Sequence, residues 1–116
     1  MNHGLPASAV EKIRGVFASH PRVAKAVLYG SRAKGNFRNG SDIDLTLHGE
    51  NLDFSEIVRI ENELDDQLLP YTIDLSVFEK LDHVGLREHI KWVGQVFYER
   101  QDASAPSLQR GVVNGT

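Results

Sequence analysis

The apolar positions of this chain follow two different periods, and the changes between them mark out the elements. Val10, Ile13 and Phe17 recur at helical spacing behind Ser8-Ala9-Val10-Glu11, whose serine and glutamate stand at the spacing of a capping box, so a first helix is expected from about Ser8 to Ser19. His20-Pro21 ends it, because the residue before a proline is pushed out of the helical region. Val23 to Tyr29 is a short apolar run with only Lys25 charged, which predicts a strand buried on most of both faces and closed by Gly30. Ser31 to Lys34 has room for one helical turn before Gly35, and Gly35 to Ser41 is loop composition.

Beyond that loop the period drops to two. Asp42-Ile43-Asp44-Leu45-Thr46-Leu47 alternates strictly, with Asp42, Asp44 and Thr46 on one face of a strand and Ile43, Leu45 and Leu47 on the other. Thr72-Ile73-Asp74-Leu75-Ser76-Val77 repeats the pattern, so two strands carry acid on one side and core on the other. Between them Ile57, Ile60, Leu64 and Leu68 form a helical stripe that Pro70 ends. Asp82 is placed to cap a last helix whose Leu86, Ile90 and Val93 share a face, with Gly94 as its stop. The order α-β-α-β-α-β-α predicts an α/β (α+β) fold, a mixed sheet of three principal strands backed by helices. From Gln101 onward the chain is polar and without periodicity, so one domain is expected over residues 1–100 and a disordered tail over 101–116.

A length of 116 residues suits a single core. A formal charge of -3 argues against a protein that coats a nucleic-acid backbone, so direct nucleic-acid binding is not expected, whereas small anions remain accessible to local positive charge. There is no cysteine, which excludes disulfides and thiolate metal sites. Met1 to Pro6 has neither a basic nor an apolar run, and no stretch reaches membrane-spanning length, so the expected location is the cytoplasm with no membrane partner.

The candidate chemistry lies in the strand acids and the turn upstream of them. Two carboxylates on one strand face can hold a divalent cation, and the Gly30-Ser31 turn can offer N–H groups to a phosphate, so together they suit a metal-nucleotide. Nucleotidyl transfer moves a nucleoside monophosphate from a triphosphate to an acceptor hydroxyl and releases pyrophosphate, with two Mg²⁺ ions about 4 Å apart stabilising the in-line displacement. Asp42 and Asp44 are placed to share the bridging role, and Asp74 would complete the metal site and take the acceptor's proton. Three carboxylates so close repel one another, so without metal their pKa values should rise. Gly30 lets the backbone approach a triphosphate, Ser31 adds a hydroxyl, and Arg32 and Lys34 can offset phosphate charge, Arg32 in the better bidentate geometry. Gly-Ser, this gap and Asp-x-Asp coincide by chance in roughly one chain of this length in a thousand, and Asp74 in a second alternating strand adds to the signal.

Gly30-Ser31-Arg32-Ala33-Lys34-Gly35 with Ser41-Asp42-Ile43-Asp44-Leu45 resembles the signature of the DNA polymerase beta-like nucleotidyltransferase superfamily, and more narrowly that of the minimal nucleotidyltransferase (MNT) antitoxins. The similarity runs from about Ala7 to Arg100, through Leu69-Pro70-Tyr71-Thr72-Ile73-Asp74-Leu75 and on from His89-Ile90 to Tyr98. It implies Mg²⁺ on Asp42, Asp44 and Asp74, with the triphosphate of ATP on Gly30 and Ser31. It also implies a type VII-like toxin–antitoxin pair, in which AMP is transferred from ATP to a tyrosine of a co-encoded HEPN ribonuclease toxin and neutralises it. Lys34 stands where arginine is common, which keeps the charge and loses bidentate contact. Larger nucleotidyltransferases carry further domains that hold the acceptor, so the short tail expected after Arg100 favours a macromolecular acceptor.

Plainer readings exist for each residue. An isolated Asp-x-Asp is ordinarily an exposed strand face, and Arg38 reads as part of a solvated basic loop. A calcium loop of the EF-hand type is excluded by Ile43, Leu45 and Leu47. His3, His20, His48, His83 and His89 lack zinc-site spacing and read as surface or helix-end residues, with His89 able to face a partner. Trp92 and Tyr98 would finish the core or line an interface, while Tyr29 and Tyr71 flank the site strands, where either could stack on adenine. Two competing functions stand beside protein adenylylation: an antitoxin that blocks its toxin by binding alone, and a small-molecule nucleotidyltransferase.

Overall fold

A computed structural model describes residues 4–35 and 42–100. His3, Arg38, Ser41 and the expected tail over 101–116 lie outside these residues. Helix α1 (Ala7–Ala18) precedes β1 (Lys25–Tyr29), and the single turn α2 (Ser31–Lys34) follows Gly30 at once. Then come β2 (Ile43–His48), α3 (Phe54–Asp65), β3 (Ile73–Val77), a 3-10 turn at Phe78–Lys80, α4 (Val84–Val93) and β4 (Gln95–Glu99). The sheet runs in the order β3-β2-β1-β4. β1 is antiparallel to both its neighbours, whereas β2 and β3 are parallel. A parallel pair needs a crossover, and α3 supplies it.

Alternation decides which face each strand buries. Ile43, Leu45 and Leu47 are wholly buried with Ala26 and Leu28 beneath α1 and α3, in a core that takes in Val10, Ile13, Phe17, Ile60 and Leu64. Each leucine, isoleucine, valine or phenylalanine among them contributes about 1.5–3 kcal/mol when fully removed from water. On the opposite face a smaller cluster of Val27, Phe78 and Ile90, with Tyr29, Leu81 and Leu86 at its edge, seats α4 against β1. β1 is therefore buried on both faces, as its sequence predicts, and the α4 side of β2 and β3 beyond the small cluster is left for the acids.

Several local expectations are corrected. α1 begins one residue earlier than the capping-box pattern suggests: the Pro6 carbonyl accepts from the amides of Ala9 and Val10, and the Ser8 side chain caps nothing. α3 starts on Asp53, whose carboxylate accepts from Glu56 N at 2.8 Å, and ends at Asp65, so Leu68 lies outside the stripe with φ 55 and 87 % exposure. α4 is capped by His83, whose Nδ1 accepts from Leu86 N at 2.9 Å, in place of Asp82. The fourth strand adds to the three expected ones. Its register against β1 shifts between Ala26 and Val27, so Phe97 enters the core while Val96 stays exposed, and the bulge breaks the alternation that would announce a strand.

One side chain differs in environment from its sequence reading. His20 is buried, with Nδ1 2.6 Å from Glu56 Oε2 and Nε2 3.0 Å from Glu63 Oε1, and Arg59 holds the other Glu56 oxygen at 2.8 Å. This network ties the end of α1 to α3. Trp92, at 89 % exposure, takes no part in the core, whereas Tyr98 is half-buried with its ring 5.8 Å from that of Phe17.

Candidate active site

The sheet register brings the strand residues of the site into one row. Asp44 on β2 is the direct partner of Tyr29 on β1 and of Asp74 on β3, so all three side chains leave the same face side by side. Asp42 stands two residues before Asp44, just ahead of β2, and is exposed. Burial and then the charges of Asp74 and Asp42 push the Asp44 carboxyl above the ordinary carboxylate range. This is the effect expected of acids crowded together with no cation among them. The Tyr29 phenol is raised as well, by burial first and then by Asp44 and Asp74, while the Ser76 hydroxyl it faces acts in the opposite direction.

Gly30 connects this row to the phosphate turn. Its backbone, at φ 79 and ψ -156, is in a region that only glycine occupies readily, and a Cβ built there would run into Asp44 Oδ2 and Cγ. A glycine at this position therefore lets the turn and the acids share one spot. From here α2 starts at once with Ser31, which is half-buried, and Gly35 ends it at φ 87. The amides of a helix's first turn have no acceptor within the helix, so this end of α2 carries positive potential.

The two cations of the turn have different surroundings. Arg32 is 2 % exposed, with its guanidinium 5.2 Å over the ring of Tyr71, and so joins α2 to the segment leading into β3 and Asp74. Lys34 is exposed and presents its charge to solvent. The sequence favours Arg32 over Lys34 for bidentate contact with a phosphate. Nothing in the pattern of Ser31 to Lys34 announces that Arg32 faces inward.

Among the described residues, no three acidic or histidine side chains converge as they stand on a point that would hold a metal ion. The donor set nonetheless fits a hard divalent cation: carboxylate oxygens on adjacent strands, whose mutual repulsion a dication would relieve. Three of the histidines are used elsewhere, His20 in its buried network, His83 as a cap, and His48 stacked on Phe78 at 4.7 Å. No helix among the described residues is long and apolar enough to cross a membrane.

The family model for "Polymerase beta, Nucleotidyltransferase" matches residues 11–103. No curated protein matches the chain significantly. Among solved structures, a toxin–antitoxin crystal structure with AMP-PNP aligns at 22% identity and TM-score 0.65, covering 79% of this chain and 74% of its own. The complex of a tri-AMPylated Shewanella oneidensis HEPN toxin with its MNT antitoxin aligns at 19% identity and TM-score 0.60, covering 84% and 76%. The MntA-HepT toxin–antitoxin structure aligns at 19% identity and TM-score 0.61, covering 83% and 74%. These likenesses establish a shared fold, and the family model spans the strand acids and the glycine-serine turn alike: the chain belongs to the polymerase beta nucleotidyltransferase family.

Proposed function

We propose that this chain is a Mg²⁺-dependent protein adenylyltransferase that acts as the antitoxin of a HEPN ribonuclease toxin, transferring AMP from ATP to a toxin hydroxyl, that of a tyrosine. The observation that carries the chemistry is the register that sets Asp44 beside Asp74 and against Gly30. The choice of acceptor draws on the structural neighbours, one of which holds AMP-PNP and another an AMPylated HEPN toxin.

Asp42, Asp44 and Asp74 would hold the metal. When bound, Mg²⁺ neutralises charge on the phosphoryl oxygens and makes the acceptor hydroxyl more acidic. The chain's own groups divide the remaining work. Gly30 admits the triphosphate close to the backbone, the Ser31 hydroxyl donates to a phosphate oxygen, and Lys34 supplies counter-charge from the solvent side. Arg32 contributes charge from beneath the turn. The acceptor oxygen attacks the α-phosphorus, the bond to the β-phosphate breaks, pyrophosphate leaves, and the acceptor's proton passes to Asp74.

The test is incubation with ATP labelled at the α-phosphate, Mg²⁺ and the HEPN protein encoded beside it. Label should enter that protein and pyrophosphate should be released. Absence of both transfer and ATP binding would refute the proposal. A second reading, neutralisation by binding alone, is favoured by Trp92 and Val96, which expose 89 % and 57 % of their surface on adjoining α4 and β4. It expects an Asp42→Asn, Asp44→Asn, Asp74→Asn triple variant to protect against the toxin at stoichiometric amounts, whereas adenylylation expects protection to be lost.

A further inference from the structure

A second row of side chains lies behind the acids. On the acid face, Tyr29, Asp44 and Asp74 are register partners across β1, β2 and β3, and Val27, Thr46 and Ser76 are partners one step further back. Val27 packs in the small apolar cluster, and apolar residues beside it would extend that cluster across the sheet. Two hydroxyls stand there instead. Thr46 is wholly buried, and Thr46 Oγ1 and Ser76 Oγ are both buried without a hydrogen-bond partner of good geometry. A buried hydroxyl left unpaired costs free energy, so two of them adjacent, directly behind the acids, point to a use.

Tyr29 spans the two rows. Its ring lies at the edge of the cluster with Val27, Phe78 and Ile90, while its hydroxyl faces Ser76, Asp44 and Asp74. We propose that Tyr29, Ser76 and Thr46 are positioning residues, a hydroxyl relay that fixes the orientation of the carboxylate of Asp44, the direct register partner of Tyr29. The direction of the relay follows from what each group can do. An ionised carboxylate only accepts, so the phenol donates to it; Ser76 then donates to the phenol oxygen, and Thr46 to Ser76. Every hydroxyl proton is used, and the two orphaned groups acquire partners. The relay also anchors the acid row to the cluster that seats α4.

This proposal rests on the reading of Asp44 and Asp74 as metal-holding groups, and the experiment separates the two. Mn²⁺ binding would be measured by electron paramagnetic resonance with a non-hydrolysable ATP analogue, alongside unfolding temperature and transfer kinetics. The variants are Tyr29→Phe, Thr46→Val and Thr46→Ser. Tyr29→Phe keeps the ring and should stay folded, with Mn²⁺ affinity lowered about 10- to 100-fold, as for other groups that orient metal ligands, kcat lowered, and the KM for ATP little changed. Thr46→Val should lower Mn²⁺ affinity, and Thr46→Ser, which restores the hydroxyl, should recover it. Should Tyr29→Phe fail to fold, the Thr46 pair decides alone. Mn²⁺ affinity equal to wild type in the folded variants overturns the proposal, whatever their rate. A wild-type protein that binds no Mn²⁺ and transfers nothing overturns the metal reading and the relay with it.

Discussion

The Asp44 carboxylate stands in the space that a side chain on residue 30 would need, so Gly30 and Asp44 constrain each other directly. Gly30→Ala should cost about 1–3 kcal/mol from the backbone conformation alone. The carboxylate must also move away from Asp74. Transfer should therefore fall further than the loss of stability explains. Thermal unfolding together with transfer rate at saturating ATP checks this, and a variant with wild-type stability and rate would mean the turn does not hold its observed conformation.

Asp44→Asn should uncouple stability from function. The folded pKa of Asp44 lies above its unfolded value, so its ionised form is a burden on the folded state that is relieved as pH falls through that raised pKa. Removing the charge at neutral pH, without metal, should stabilise the protein by about 0.5–1 kcal/mol once solvent screening is allowed for, a rise in Tm of roughly 2–6 °C. The same substitution removes a proposed metal ligand, so the stabilisation that added Mg²⁺ and nucleotide give the wild type should vanish. Melting curves with and without Mg²⁺-nucleotide measure both effects, and a destabilised metal-free variant would contradict the crowding argument.

How much of this was legible depended on whether the signal was local. The alternation from Asp42 to Leu47 and from Thr72 to Val77 specifies which face each residue takes, so the acid face could be read from the sequence. That Asp44 and Asp74 would be direct partners could not, because register between residues thirty positions apart is set by the α3 crossover. β4 was hidden by its bulge, which breaks the period of two. His20 looked like a helix-end residue because its partners, Glu56 and Glu63, come from a different helix. Arg32 was legible as a cation near the turn, but not as one turned inward over Tyr71.

Asp74→Asn should separate binding from turnover. Asp74 is exposed at the edge strand of the sheet, on the opposite side of Asp44 from the Gly30 turn, so a nucleotide held by Gly30, Ser31 and Asp44 loses little when it is replaced. Removing the proposed general base should lower kcat by about 10²–10⁴-fold. ATP affinity should change by less than about 10-fold. Calorimetric titration of the nucleotide beside single-turnover transfer distinguishes the two, and normal turnover would remove Asp74 from the mechanism.

The His20 network predicts an acid response opposite in sign to that of Asp44. Hydrogen bonding from His20, and then from Arg59, holds the Glu56 carboxyl below its ordinary 4.5 against the opposing effect of burial. A carboxylate depressed in the folded state contributes stability that is fully present above its unfolded pKa and is lost as pH falls through its folded one. At neutral pH Glu56→Gln removes a carboxylate that accepts hydrogen bonds from His20 and Arg59, at a cost of about 1–2 kcal/mol, which is a fall in Tm of roughly 5–10 °C. As pH drops below 4.5 the wild type should lose that advantage and the two melting temperatures should converge. Glu63, whose side chain is 45% exposed, should matter less when replaced by glutamine. Melting temperatures recorded from neutral pH into the acid range test this. A gap between wild type and Glu56→Gln that stays constant with pH would show that Glu56 acts through packing and not through its charge.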